Sequence, residues 1–130
     1  MKLESIERAI RKSWAADTCY PVQKKEWNKR KPERGQCAVT ALILHEFFGG
    51  EIVFNKRRDH FWNILPDGQE VDLTRKQFNE PVRLKVDAHC NREELLYSST
   101  AVRQKTAKRY QLLLHRVQAN LEQVYTVNSF

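Results

Sequence analysis

The 130-residue sequence contains no run of eighteen apolar residues, the minimum for a helix that spans a bilayer. Its first residues, Met1-Lys2-Leu3-Glu4, alternate charge and apolarity where a secretory signal would build an apolar stretch. A cytoplasmic protein without a membrane partner is the expectation. Cysteine is sparse: Cys19, Cys37 and Cys90 are odd in number, widely spaced and form no Cys-x-x-Cys motif. That argues against a disulfide framework or a ribbon-type zinc site. His89-Cys90 lacks the spacing of a metal-binding helix face or knuckle, and neither metal nor cofactor is expected. Internal repeats and low-complexity segments are missing too. A chain this long suits one domain, residues 1–130, with a real core.

Positive charge is plentiful. Twenty-three Lys and Arg against sixteen Asp and Glu leave a formal net charge of +7, which invites a nucleic-acid reading. The bases cluster as Lys24, Lys25, Lys29, Arg30, Lys31 and Arg34, and as Lys56, Arg57 and Arg58. These groups lie in loops just before Cys37 and just before His60, so they flank one cleft if those two residues meet. Such a cleft suits an acidic or phosphorylated substrate. No aromatics alternate with bases along a strand, so Trp14, Trp27 and Trp62 read as core or cleft walls, and nucleic acid is the less favoured partner. The pattern specifies no oligomeric state.

Leu3, Ile6, Ile10 and Trp14 recur at helical spacing and predict an amphipathic first helix ending near Asp17. A long polar connection follows, with Pro32 near its end. Gln36 to Phe48 is almost wholly apolar, the mark of a helix buried on every side, and Gly49-Gly50 stops it. Glu51–Phe54 reads as a strand, His60–Leu65 and Gln69–Thr74 as a hairpin, and Val82–Val86 as a further strand by its alternation. Asn91 caps a short helix. A long one from about Thr100 carries Val102, Thr106, Tyr110, Leu113, Val117, Leu121 and Val124 on its apolar stripe, with Lys105, Lys108, Arg109 and Arg116 read as solvated on the opposite side. The fold class is therefore α+β: a buried central helix packed on a small antiparallel sheet, flanked by N- and C-terminal helices.

Cys37 stands where Gly35-Gln36 releases the chain into the apolar helix. The partial positive charge at a helix N-terminus favours a thiolate there. His60 opens the hairpin, and the turn at Pro66-Asp67-Gly68 fits a three-residue loop with glycine in the left-handed position. That loop pairs Leu65 with Gln69 and Trp62 with Asp72, which puts His60 and Asp72 on one face as diagonal neighbours. A two-residue loop would separate them. Cys37, His60 and Asp72 thus form a candidate nucleophile, base and orienting carboxylate. For the thiol to reach the imidazole, the helix of Cys37 is expected to cover the His60 face, with a terminal helix on the reverse.

The runs Gly35-Gln-Cys-Ala-Val-Thr-Ala41, Gly49-Gly-Glu-Ile52, His60-x-Trp-Asn-x-Leu-Pro-Asp-Gly68 and Asp72-Leu-Thr-Arg-x-Gln-Phe78 resemble the YunG family of small bacterial proteins. More broadly, the order helix cysteine, strand histidine, next-strand aspartate resembles the transglutaminase-like and papain-like superfold. Its members act as proteases, amidases, deamidases and acyltransferases. The resemblance implies Cys37 as nucleophile, His60 as base and Asp72 as orienter. The papain pattern has glutamine six residues before the cysteine, where this chain has Lys31. The Cys37 backbone N–H is then the expected oxyanion donor, with Gln36, Gln23 or Asn28 as side-chain partners and Trp62 at the substrate. The resulting expectation is cysteine-dependent acyl chemistry on an amide-containing or acidic substrate. The alternative is a non-catalytic binding module whose basic cleft holds an acidic protein or nucleic acid.

Overall fold

The computed structural model describes residues 1–81 and 83–128, with side chains through Leu121. Helix α1 spans Leu3–Ser13. Its Ile6 and Ile10 are buried and Trp14, just past its end, is buried with them, as the periodicity predicts. The Trp14 indole N–H donates to Thr40 Oγ1 at 2.9 Å, which fastens the end of α1 to the central helix. That helix, α2, spans Cys37–Phe48 and buries Val39 through Leu44 without interruption. These six residues have no solvated side, because they pack into one core with the sheet, α1 and the C-terminal helix.

The sheet has four strands: β1 (Glu51–Asn55), β2 (His60–Ile64), β3 (Glu70–Val71) and β4 (Ala88–Cys90), in the order β3-β2-β1-β4, with antiparallel neighbours. The hairpin register is the one the turn demands: Asn63 pairs with Val71 and Ile64 with Glu70, and the Leu65 N–H donates to Gln69 O at 2.8 Å. Gly68 holds φ 88°, the left-handed position of the loop. The returning strand is shorter than expected. After Val71 the chain leaves the ladder, because the Asp72 carboxylate takes the Thr74 N–H at 3.2 Å and turns the backbone away.

Three expectations are corrected. Residues 83–86 are irregular rather than a strand, and Val82 lies outside the described residues. Beside β1, the Asn55 side chain donates to Lys85 O at 2.9 Å in place of a ladder bond, and backbone pairing begins only where Asp87 N–H meets Phe54 O. The long C-terminal helix is interrupted: α3 (Arg92–Tyr97) and α4 (Ser99–Arg103) precede α5 (Thr106–Asn128), with Lys105 at φ 56° between α4 and α5. Val102 is consequently exposed, while Thr106, Tyr110, Leu113, Val117 and Leu121 are buried. The Val124 side chain lies outside the described residues. Asn91 does cap α3, accepting from Glu93 and Glu94 N–H.

The third correction concerns the faces of the sheet. Helix α2 packs against the side carrying Ile52, Asn63, Leu65, Val71 and Leu73, where Asn63 Nδ2 donates to Ala41 O at 2.9 Å. On the opposite side, with His60 and Trp62, lies the segment after β3. Phe78 sets its ring edge-on to His60 at 5.0 Å, and Arg75 lies over Trp62 at 5.2 Å. His60, as the first residue of β2, sits at the end of the strand, where the N-terminus of α2 reaches it. Among the described residues no helix is long and apolar enough to cross a membrane.

Candidate functional site

Cys37 is the first residue of α2, so its own N–H is among those that the helix leaves without an internal partner. The loop that delivers it is tightly fixed. Gly35 adopts φ 70°, its carbonyl accepts from Tyr20 N–H at 2.8 Å, and its N–H donates to Gln77 Oε1 at 3.4 Å. A β-carbon at this position would stand 2.5 Å from Cys19 Sγ and 3.0 Å from the Tyr20 nitrogen. Glycine is therefore required by backbone conformation and by space together. The Cys37 side chain is half-buried, whereas Cys19 is buried.

His60 is fully buried at the start of β2. Its Nε2 lies 2.7 Å from Asp72 Oδ2, as the hairpin register requires, and Cys37 is close enough to influence its protonation. Burial disfavours the imidazolium, but the hydrogen bonds and charges of Asp72 and Cys37 outweigh it and push the His60 pKa up to about 9. Burial likewise works to raise the Asp72 pKa, yet His60 and Arg75, whose Nε donates at 2.6 Å, hold it below the usual carboxylate range. Thr74 adds backbone and hydroxyl bonds to Oδ1. Asp72 is thus an ionised carboxylate fixed on both oxygens.

Gln77 completes the surroundings of the imidazole. Its Oε1 accepts from Gly35 N–H, so its amide nitrogen faces His60 Nδ1 at 3.1 Å and Thr74 Oγ1 at 3.4 Å. One side chain ties the loop before Cys37 to the histidine. Its amide N–H faces Nδ1 and favours a ring proton on Nε2 toward Asp72, against the pull of Asp72 and Cys37 toward the charged form. No periodic pattern marks this residue, since it lies in a single helical turn, Arg75–Gln77, after the hairpin has ended.

Cys37 opens onto a cleft of about 640 Å³ lined by Tyr20, Gln23, Phe61, Gln77, Phe78 and Arg109, among others. Of the expected oxyanion and substrate residues, Gln23 is there and the rest are elsewhere. Gln36 is buried with its amide nitrogen on Ala15 O at 3.0 Å, Asn28 bonds within its own loop, and Trp62 is buried with its N–H on Glu70 at 3.0 Å. Among the described residues no group of three His, Cys, Asp or Glu is placed to hold a metal ion. Arg109, read from sequence as solvated, is buried beside the cleft. Its spacing from Thr106 and Leu113 puts it at the margin of the apolar stripe, and that spacing was the signal available. The cleft is less basic than the flanking loops predict: Arg34 pairs with Glu26, Arg58 with Glu80, and Lys31 bonds Asn79.

Comparison with known proteins agrees with the family that these sequence runs resemble. A protein of Bacillus subtilis (strain 168) named "Uncharacterized protein YunG" is 34% identical over 83 residues, covering 62% of this chain and 66% of that protein's length. No solved structure matches. The profile of the family described as YunG protein matches residues 2–122, nearly the whole sequence, and the chain belongs to that family.

Proposed function

We propose that this chain is a cysteine-dependent acyl enzyme, with chemistry of the papain-like and transglutaminase-like kind. The observation that carries the reading is the Asp72–His60 hydrogen bond with Cys37 beside the imidazole and on an open cleft. In the reaction, the Cys37 sulfur attacks an amide carbonyl carbon and a C–S bond forms. His60 takes the thiol proton and gives it to the departing amine as the C–N bond breaks, leaving a thioester on Cys37. Asp72 holds the ring by Nε2 and stabilises its charged form throughout. The Cys37 N–H, at the start of α2, is the donor available to the oxyanion, with Gln23 beside it in the cleft. Water or an amine then receives the acyl group, which gives hydrolysis or transfer.

The test uses p-nitrophenyl acetate as an activated acyl donor. A stoichiometric burst of nitrophenolate with acetylation at Cys37 is expected, lost in C37S and slowed at least tenfold in H60A, the scale of general-base assistance. Acetylation shared evenly between Cys37 and Cys90, and indifferent to H60A, would overturn the reading. A second reading, a binding module, is favoured by one observation: Arg30, Lys31, Arg75 and Lys76 outnumber Glu33 and Glu80 along a separate open groove. For that reading, binding to an acidic polymer such as heparin should survive C37S and weaken steeply with salt.

A further inference from the structure

Arg109 is a buried charged group on the cleft of Cys37 to which the proposed reaction gives no task. It is only 6% exposed. Its Nε donates to Gln104 O at 3.0 Å, Nη1 to Thr18 O at 3.0 Å and Nη2 to Thr106 Oγ1 at 3.5 Å, so every acceptor is uncharged. A guanidinium has five N–H donors, and among the described residues one on each terminal nitrogen has no acceptor. Asp59 and Glu94 line the same cleft, yet among the described residues neither forms an ion pair with Arg109.

A buried cation is costly unless attraction to an anion offsets its desolvation. Burial indeed pushes the Arg109 pKa down, while Cys37, Cys19 and Tyr20 act the other way. Cys19 is no counter-ion at neutral pH, since burial pushes its pKa up to about 11. As a plain staple between α5 and Thr18, an amide side chain would serve without a charge. The positive charge therefore has its use at the cleft. The two remaining N–H groups lie on the two terminal nitrogens, the pair with which a guanidinium grips a carboxylate. The second cation of the cleft, Arg58, is engaged with Glu80.

We propose that Arg109 forms a carboxylate-binding subsite, so that the acyl substrates of this cleft carry a free carboxylate that docks on the guanidinium while the reacting carbonyl lies at Cys37. The subsite stands on the burial and bonding of Arg109; its link to a reacting carbonyl rests on the function proposed above.

Iodoacetate and iodoacetamide test it, since both alkylate sulfur with loss of iodide and they differ in one carboxylate. The quantity read is the ratio of their rates at Cys37, by mass spectrometry at neutral pH. The ratio is expected to exceed that of N-acetylcysteine amide, and to fall about tenfold in R109Q, the worth of a charge-assisted hydrogen bond. An unchanged ratio in R109Q, or an equal slowing of both reagents, would overturn the subsite. H60A supplies the second arm, independent of whether R109Q folds. With the histidine gone and Arg109 intact, the ratio should stay above that of N-acetylcysteine amide. A fall to that level would assign the anion preference to the imidazolium and overturn the proposal. Failure of the acyl reading is seen separately, as absent acetylation of Cys37 by nitrophenyl acetate with the ratio intact.

Discussion

His60 is a residue whose burial and charge pull in opposite directions. Its move from 6.5 to about 9 corresponds to ~3 kcal/mol in favour of the charged form, carried by Asp72 and Cys37 against desolvation. The folded value lies above the unfolded one, so this contribution to stability is fully present below about 6.5 and is lost as pH rises through about 9. Asp72 contributes at the acid end: its lowered pKa gives stability above the usual 3.8 that is lost as pH falls through the folded value. In D72N the imidazole should titrate well below 9, read by NMR of its ring protons, and the alkaline loss of stability should shift to lower pH. Gln77 predicts the opposite sign. Its amide N–H opposes a proton on Nδ1, so Q77E, which can accept that proton's hydrogen bond as well as the Gly35 N–H, should raise the His60 midpoint. A midpoint that Q77E leaves in place would remove Gln77 from the positioning of the histidine. The His60 and Asp72 pairing was legible because turn residues fix hairpin register. Gln77 was not, since it acts after the chain leaves the sheet, where no period constrains it. Arg109 was misread by residue type against its own spacing.

At the scale of elements, the loop from Tyr20 to Gln36 decides where α2 begins and hence where the thiol stands. Its polar, proline-bearing sequence predicts a long connection and gives no path for it. The path comes from tertiary bonds that no local pattern encodes: Tyr20 N–H to Gly35 O, and Trp27 Nε1 to Pro32 O at 3.0 Å. Gly35→Ala should therefore cost more than the ~1 kcal/mol of a glycine replaced in a left-handed position. The new methyl group meets a buried sulfur and a backbone nitrogen rather than a flexible side-chain end alone. A loss of about 2–4 kcal/mol in denaturant unfolding is expected, together with slower alkylation of Cys37 in the fraction that remains folded. A G35A protein as stable as the parent would show that the loop has another path open to it. The same reasoning explains the lost strand at 83–86. Alternation there satisfies the pattern, but the Asn55 amide and the Asp87 carboxylate take the positions that ladder bonds would use.

Across the whole molecule the site draws on parts far apart in sequence: the Thr18–Tyr20 loop, the start of α2, β2, the turn through Gln77, and Arg109 on α5. Packing of α1, α2 and α5 holds those parts together, through side chains such as Ile10, Leu42, Leu113 and Val117 that have no solvent exposure. By contrast the Arg116–Asp17 ion pair that also links α5 to the end of α1 is partly exposed, and pairs of that kind contribute at most about 1 kcal/mol. L113A should thus cost about 2–5 kcal/mol through the cavity it leaves, and D17N little. The thiols report the difference without a denaturant. Cys19, 1% exposed, reacts only when the structure opens, so its iodoacetamide labelling should rise some 30-fold or more in L113A, at a factor of ten per 1.4 kcal/mol. Cys37 opens onto the cleft in the native state, and its labelling should hardly change. In D17N both rates should stay near those of the parent. Equal acceleration of Cys19 and Cys37 in L113A would mean that Cys37 also waits for unfolding, and that the cleft does not admit a small reagent to the thiol.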